Sequence, residues 1–284
     1  MKIATWNVNS LNARIDNVTN WLSKEAVDIL CLQETKLNDE IFENYRKIFR
    51  DSGYHAYHNG TGQYNGVAVL SKEEPQVVYM GFKQGEPNLG VDYPECRLLS
   101  LEFNNLIVYS IYVPNGRDLH SVHMDFKIKW FNLLDLQLQR EIAENPNKLI
   151  VLCGDFNVAL TDDDVKNIAE MEGSTHVSAK ERDAMSRLIG LGFLDIGNEY
   201  QKDKKIEQKF RFTWWDYRQL AFQKNNGMRI DYLLLRHRAL ADKTIAFEDV
   251  ILDYHTDRDE RKKPRPSDHI PIVATIDTDQ LILS

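Results

Sequence analysis

Cysteines are scarce in this chain of 284 residues: only Cys31, Cys96 and Cys153 occur, and no two of them have the Cys-x-x-Cys spacing of a zinc site. Three scattered cysteines do not form the even set that is typical of a disulfide framework. Cys31 and Cys153 lie within apolar, strand-like runs. We therefore expect reduced thiols in the core of a cytoplasmic protein, and neither disulfides nor structural zinc.

Long hydrophobic runs are also lacking. No apolar run reaches the roughly 20 residues that a membrane-spanning helix needs, and the opening residues, MKIATWNVNS, lead into a strand and not into a signal peptide. No Gly/Ser-rich or Pro-rich linker divides the chain, and 43% of its residues are hydrophobic, which is enough for a full core. These features predict one domain spanning residues 1–284, which we expect to be a monomer.

The chain also lacks an excess of basic residues. The 35 Lys and Arg residues face 43 Asp and Glu residues, so the formal net charge is −8. Taken alone, this charge argues against a nucleic-acid partner, because phosphate binding usually leaves a basic surface. Carboxylates that hold a cation, however, add negative formal charge while the site presents a positive face to its substrate. The basic run RDERKKPRP at 258–266 is consistent with a solvated loop and equally with a contact for phosphates.

Short apolar strands recur along the chain, many of them continuous and so buried on both faces. The predicted strands are KIATWNV, DILCLQE, GVAVLSK, residues 97–103, LIVYSIYVP, LIVLCGDFN, RIDYLLL and IPIVATI. Helical periodicity lies between them, in a first helix through Ile15 and Leu22, over 123–143, and after a capping box of Ser178 and Glu181. Two face-to-face sheets with outer helices and a doubly wound parallel sheet both satisfy this α/β pattern. Short gaps between strands favour antiparallel pairs.

Polar side chains stand at the ends of several of these strands. They are Asn7 and Asn9; Gln33 and Glu34; Tyr112, Asn115 and Arg117; Asp155 and Asn157; Asp231; and Asp268 and His269. A single Asp or Asn in such a place usually caps a turn. The repetition of the pattern predicts that these side chains meet at one edge of the sheets.

Such a cluster has a definite chemistry. Oxygen ligands without thiolates suit Mg²⁺, with Mn²⁺ as a substitute, better than zinc. Mg²⁺ is typically held by one or two carboxylates, and water and substrate phosphate fill its remaining positions. Amide, phenol and imidazole groups would then donate to phosphate oxygens. The sequence therefore predicts metal-assisted attack of water on phosphorus.

The same residues carry a family resemblance. The chain resembles the exonuclease III-type AP endonucleases of the endonuclease/exonuclease/phosphatase superfamily, nearly from end to end. The matching motifs are ATWNVNSLNAR, LQETK, YNGVAVLSK, YVPNGR, GDFNVA, FTWWDYR, GMRIDYLLL and PSDHIPI. The resemblance implies a four-layer αββα sandwich of two mixed β-sheets. It also implies Mg²⁺-dependent cleavage of double-stranded DNA on the 5′ side of abasic sites, with 3′-phosphodiesterase, 3′-phosphatase and 3′→5′ exonuclease activities.

The resemblance also implies roles for the metal-binding and water-activating residues. Glu34 of LQETK is the expected metal ligand, with Asn7 beside it and Asp268 as a further metal or water contact. Asp155 of GDFN would orient or deprotonate the attacking water, and Asn157 would hold that water. Asn9 stands where some relatives carry an acid, which leaves one or two metal ions open.

Further roles concern the phosphate and the sugar. His269 of SDH would contact the scissile phosphate, with Asp231 orienting its ring; the alternative makes His269 the general base. Tyr112, Asn115 and Arg117 are the expected contacts of phosphate or leaving oxygen. The last implied set is a pocket for an extruded abasic sugar, formed by Trp214, Met228 and Ile230.

Three functional hypotheses follow from these residues. The first is a DNA-repair endonuclease. The second is a phosphatase or phosphodiesterase that uses the same site on small or lipid substrates, and it predicts hydrolysis of phosphate esters without DNA. The third is a catalytically silent binding module, which would lack one of the key polar residues; the chain has all of them, namely Glu34, Asp155, Asn157, Asp231 and His269.

Overall fold

A computed structural model describes residues 1–85, 95–204 and 210–282 of the chain. The β-strands are β1 Lys2–Asn7, β2 Ile29–Gln33, β3 His55–Asn59, β4 Val67–Ser71, β5 Val77–Met80, β6 Leu98–Glu102, β7 Leu106–Tyr112, β8 Leu149–Asp155, β9 Leu194–Asp195, β10 Asp231–Arg236, β11 Ile251–Thr256 and β12 Ile272–Ile276. The α-helices are α1 Leu11–Glu25, α2 Asp39–Asp51, α3 Val122–Glu144, α4 Ala179–Gly190, α5 Ile196–Lys204, α6 Arg238–Ala241, α7 Phe247–Val250 and α8 Asp279–Ile282. Short 3₁₀ turns cover Asp162–Asp164, Ile168–Met171 and Arg258–Lys262.

The strands form two mixed sheets of six strands each. The first has the order β11-β12-β1-β2-β4-β3, and the second has the order β5-β6-β7-β8-β10-β9. The pairs β1–β2 and β7–β8 are parallel, and their neighbours in each sheet pair antiparallel. The carboxyl ends of these two parallel pairs carry Asn7, Gln33, Tyr112 and Asp155, whereas Asp231 begins β10 and Asp268 and His269 precede β12.

Alternation of side chains along the inner strands builds four layers. In β8, Val151 and Cys153 point into the core between the sheets, while Ile150 and Leu152 point outward to helices α3 and α4. On the first sheet, Trp6 of β1 points outward to α1 and α2. Because both faces of these strands are buried, they read as continuous apolar runs. The predicted αββα sandwich is confirmed, and the doubly wound alternative is excluded.

The predicted helices are also present. Helix α3 covers the helix expected over 123–143. The predicted capping box forms at the start of α4. There the backbone N–H of Glu181 donates to Ser178 Oγ at 3.4 Å, and the N–H of Ser178 donates to the Glu181 carboxylate at 3.1 Å. In the part of the chain described, no helix combines the length and hydrophobicity needed to cross a membrane.

Candidate active site

The strand ends meet at one end of the sandwich. In the second sheet, Asp155 lies in register between Tyr112 of β7 and Asp231 of β10. In the first sheet, Asn7 of β1 pairs with Gln33 of β2. A hydrogen bond of 3.0 Å from Asn7 Nδ2 to Asp155 Oδ2 then joins the two sheets. The sandwich therefore brings polar side chains at the ends of strands that are distant in the sequence into one cluster.

The chain turn at Asp155 is set by close packing. A Cβ atom on Gly154 would lie 1.9 Å from the backbone oxygen of Ile111, so only glycine lets β8 approach β7 here. Beyond Asp155, the backbone of Asn157 adopts a φ of 52°, a left-handed conformation that asparagine tolerates better than most residues. The N–H of Asn157 donates to Asp155 Oδ1 at 2.8 Å, and its side-chain Nδ2 donates to Asp155 Oδ2 at 3.2 Å. Asn157 thus fixes both oxygens of the carboxylate.

A candidate metal centre lies where the two sheets meet. One ligand atom from each of Glu34, Asp155 and His269 falls within 4.8 Å of the others. Glu34 also pairs with Lys36, with Nζ to Oε2 at 2.9 Å. Burial raises the pKa of Glu34, but the charge of Lys36 and the hydrogen bond from Asn7 outweigh it and leave the pKa lowered. An ionised carboxylate beside a second one is a donor set that fits Mg²⁺ or Mn²⁺.

Asn7 and Asp268 take less direct positions than the sequence predicted. Asn7 turns its amide nitrogen to the cluster, donating to Glu34 Oε1 at 2.9 Å as well as to Asp155, while its amide oxygen accepts from the N–H of Asn9. Asn7 therefore bridges two carboxylates. Asp268 accepts from Asn9 Nδ2 and from a tryptophan N–H, each at 3.0 Å, and among the described residues it lies outside the three-residue cluster.

His269 contacts Asp231 through its ring. Its Nδ1 lies 2.9 Å from Asp231 Oδ2 and 3.1 Å from Oδ1, and both residues are buried. Burial lowers the pKa of His269, but the Asp231 carboxylate outweighs burial and raises the pKa to about 10. Burial, reinforced by Asp231 and Glu34, raises the pKa of Asp155 to about 7 although the charge of His269 opposes it. The imidazole is therefore a cationic donor near neutral pH.

Tyr112, Asn115 and Arg117 line the second-sheet side of the site. Burial and the nearby charge of Glu34 raise the pKa of the Tyr112 hydroxyl well above its usual value, so it remains a donor. Asn115 is exposed and its Nδ2 donates to Asn157 Oδ1 at 3.3 Å. Arg117 is exposed beyond it. These positions are accessible to a phosphate.

Trp214, Met228 and Ile230 form part of one apolar cluster beside His269. Trp214 and Met228 line an open pocket of about 380 Å³, while Ile230 is 2% exposed and packs beneath them. Arg229, between Met228 and Ile230, points the other way into a buried ion pair with Asp164 at 2.7 Å. The predicted common face of Met228 and Ile230 is present, with two of the three side chains at the pocket surface.

Several residues of the site gave no signal in the sequence. Lys127, in the middle of α3, is fully buried and reaches the backbone of Asn157. His176 contacts the same carbonyl through Nδ1 at 2.6 Å. Glu181 was recognised only as a helix cap, yet it also pairs with Lys127. A single lysine in an amphipathic helix or a single histidine in a loop has no sequence pattern that would mark it as part of a site, so the contacts identify this group.

The fold and this site define a member of the endonuclease/exonuclease/phosphatase family, and the chain belongs to it: the family model matches residues 4–269. The exodeoxyribonuclease of Bacillus subtilis (strain 168) is 34% identical over 242 residues, which cover 83% of this chain and 88% of that protein. An AP endonuclease from Archaeoglobus fulgidus has a similar structure, with a TM-score of 0.85, 33% identity and coverage of 98% of this chain and 99% of that one. The 3′ phosphatase NExo from Neisseria, bound to product DNA hairpin, has a TM-score of 0.84 and 34% identity, over 98% of this chain and 99% of that one. The resemblance to the exonuclease III-type enzymes is confirmed.

Proposed function

We propose that the protein hydrolyses phosphoester bonds of double-stranded DNA with the help of Mg²⁺, incising on the 5′ side of abasic sites and clearing blocked 3′ ends. The observation that carries this proposal is that one ligand atom from each of Glu34, Asp155 and His269 lies within 4.8 Å of the others, at one end of the sandwich. The relatives with exodeoxyribonuclease and AP endonuclease names support DNA as the substrate class. Because the cluster is complete within one chain, we propose that the monomer is active.

The metal would be held by Glu34, with Asp155 as a neighbouring oxygen donor. When bound, a divalent cation would neutralise charge on the phosphate oxygens. Asn7 keeps the two carboxylates in fixed relative positions through its donated hydrogen bonds. Asp268, outside the cluster, would act on the site through Asn9 and Trp214. Among the described residues, the three-residue cluster contains two carboxylates, those of Glu34 and Asp155, and this number supports a single bound ion.

The chain's own groups would perform the proton and charge transfers. Asp155 would orient the attacking water and take its proton, with Asn157 holding the same water. His269, kept cationic by Asp231, would donate to a phosphate oxygen. Tyr112 would donate to the phosphate or to the leaving oxygen, and developing negative charge on these oxygens is what such fixed donors stabilise.

The phosphate and sugar would be bound at the rim. Asn115, which contacts Asn157, and Arg117, whose backbone N–H donates to Asn115 Oδ1 at 3.1 Å, are both exposed and would contact backbone phosphates. An abasic sugar turned out of the duplex would enter the pocket lined by Trp214 and Met228, with Ile230 forming its base. A sugar that still carries its base would clash there, and damaged sites cost less energy to extrude.

A second activity, removal of phosphate from 3′ ends, is favoured by one comparison. The Neisseria relative is a 3′ phosphatase, and it is as similar to this chain as the AP endonuclease is. Both reactions place water in line with a phosphorus atom, so one site serves both.

One experiment separates these activities from the other hypotheses. The protein with Mg²⁺ is incubated with a duplex that contains one abasic-site analogue, with a duplex that ends in a 3′-phosphate, and with p-nitrophenyl phosphate alone. We expect a cut on the 5′ side of the abasic site that leaves a 3′-hydroxyl, and release of phosphate from the blocked end. Hydrolysis of p-nitrophenyl phosphate with intact DNA would instead support the small-substrate phosphatase, and no hydrolysis at all would support a silent module.

A further inference from the structure

Lys127 is a cation without exposed surface, directly behind the candidate site. Its Nζ donates to the backbone oxygen of Asn157 at 2.7 Å and to that of Asn115 at 3.2 Å. The third partner is Oε1 of Glu181, at 2.5 Å. These three acceptors match the three N–H bonds of an ammonium group. One buried lysine therefore ties together the backbones of Asn115 and Asn157, two of the amide residues that line the site.

Glu181 is also buried, and both of its carboxylate oxygens accept hydrogen bonds. Its Oε1 also accepts from the backbone N–H of His176 at 2.9 Å. Its Oε2 accepts from the N–H of Ser178 at 3.1 Å and from the hydroxyl of Ser178 at 2.5 Å. Lys127 and Glu181 thus connect α3, the start of α4 and the loop before it. A rigid link of this kind transmits the position of two helices to the active-site loops.

The backbone at Asn157 needs such support. Its left-handed φ of 52° is sparsely populated, and conformations of this kind persist where the surroundings determine them. The carbonyl of Asn157 accepts from both Lys127 and His176 Nδ1, and its Nδ2 donates to Val113 O at 2.9 Å and to Asp155. Rotating the carbonyl away from Lys127 would move the amide away from Asp155.

Stability alone is a poor reason for this arrangement. Burying two charges costs desolvation, and apolar residues of the same volume often stabilise a fold as well or better. What an ion pair with three directed hydrogen bonds supplies, and apolar packing does not, is a fixed geometry. The pair is placed where geometry matters most, one hydrogen bond away from both site amides.

We propose that Lys127 and Glu181 are positioning residues for the hydrolysis: the ion pair holds the backbones of Asn115 and Asn157, so that the Asn115 amide faces the reacting phosphate and the Asn157 amide keeps Asp155 and the attacking water in place. Neither side chain reaches the surface, so both act through the residues they hold. The inference rests on the proposed function, since it concerns the rate of that reaction.

The double variant Lys127→Met/Glu181→Gln tests the proposal, because it removes both charges with little change in volume. We expect kcat on the abasic or 3′-phosphate duplex to fall about 10- to 100-fold, since a displacement of about 1 Å at a reacting group costs this much. KM for the duplex should stay close to the parent's value. Loss of folded protein alone would also lower the apparent kcat at constant KM. The rate constant is therefore measured in single turnover with saturating enzyme, where an inactive fraction does not change it.

A control ion pair joins the same helix α3 to the partly exposed Lys83. Lys83 pairs with the buried Glu141 at 2.6 Å, and Glu141 lies about 21 Å from Lys127 along α3 at about 1.5 Å per residue. Lys83→Met/Glu141→Gln should lower the melting temperature and keep the parent's kcat. An equal loss of kcat in this control would overturn the proposal, because the effect would then come from helix α3 in general.

Two further outcomes are decisive. A folded Lys127→Met/Glu181→Gln protein with the parent's kcat and KM would show that the pair is only structural. If the double variant does not fold, Glu181→Gln alone decides: it keeps the side-chain volume, and we expect a lower kcat with unchanged KM, whereas the parent's kcat would overturn the inference. A parent protein that cleaves neither duplex would contradict the proposed function instead, and this result is visible before any variant is measured.

Discussion

The Nε2 atom of His269 lies 3.8 Å from Oδ2 of Asp155, so the two charges face each other beyond hydrogen-bond length. The Asp231 carboxylate on the other side of the ring outweighs burial and raises the pKa of His269 to about 10. Burial raises the pKa of Asp155 to about 7. Of the two candidate bases, Asp155 is the one that loses its proton near neutral pH, which favours Asp155 as the acceptor of the proton from water.

Replacing Asp155 by Asn tests this assignment. Asp155→Asn should lower turnover by about 10²- to 10⁴-fold, the usual contribution of general-base catalysis, because an amide fills the same space but takes no proton. DNA affinity should be retained. Single-turnover rates and a binding titration measure the two quantities separately. Near-normal turnover in this variant would make His269 the base, with Asp231 as its orienting partner.

Removal of the metal should abolish activity. Without a cation, the carboxylates of Glu34 and Asp155 repel the incoming phosphate, and like charges at such distances interact strongly in a partly buried site. We expect no product in excess EDTA and full recovery when Mg²⁺ exceeds the chelator. Glu34→Gln should raise the Mg²⁺ concentration for half-maximal activity, measured by titration. Full activity of the parent in excess EDTA would rule out the mechanism.

Trp214 should control the choice between abasic sites and normal 3′ ends. Trp214→Ala would enlarge the pocket and also remove the hydrogen bond to Asp268, so the ratio of the two kcat/KM values should fall. Trp214→Phe is the control, since it keeps an aromatic wall but loses the N–H donor. An unchanged ratio in Trp214→Ala, together with a lower melting temperature, would make Trp214 a core residue and the pocket assignment wrong.

The charged segment at 258–266 divides into inward and outward side chains. Arg261 is 9% exposed, donates to the backbone oxygen of Trp215 at 2.9 Å and stacks on Tyr217, whereas Lys262, Lys263 and Arg265 are exposed. The sequence suggested that the whole run faces solvent or DNA, and this is wrong for Arg261.

The outward group is the one to neutralise. Changing Lys262, Lys263 and Arg265 to Ala should flatten the plot of log affinity for DNA against log salt by up to about three units of slope, since each phosphate contact contributes about one. Arg261→Ala should instead destabilise the fold by about 1–3 kcal/mol through lost packing and a lost hydrogen bond. A slope that does not change in the triple variant would make the segment a solvated loop.

Acid should weaken the fold through Asp164. Burial raises the pKa of Asp164, but the adjacent Arg229 outweighs it and lowers the pKa to about 2. A depressed pKa stabilises the folded state above the unfolded value of 3.8, and this contribution of about 2 kcal/mol is lost as pH falls from about 4 towards 2. The difference in free energy of unfolding between the parent and Asp164→Asn should therefore shrink below pH 4 in urea titrations. A constant difference would show that Asp164 does not titrate in this range.

The amino-acid sequence determined the inner part of each sheet. The eight strands that it predicts are β1, β2, β4, β6, β7, β8, β10 and β12, and all eight lie inside the sheets. The strands that it did not indicate, β3, β5, β9 and β11, are the four edges. A strand covered on both faces must be apolar throughout, so its composition predicts that it is buried. An edge strand is short or partly exposed, and nothing in its local sequence distinguishes it from a loop.

The site shows the same division. The polar residues that end inner strands, such as Asp155 and Glu34, are visible in the sequence because they interrupt an apolar run. The sequence does not say that the amide nitrogen of Asn7 faces the carboxylates, that Arg261 points inward or that Lys127 supports Asn157. Each of these facts depends on atoms contributed by segments far apart in the chain. Strand ends follow from local hydrophobicity, whereas the direction of a side chain follows from the partners that packing of the two sheets and their helices brings within reach.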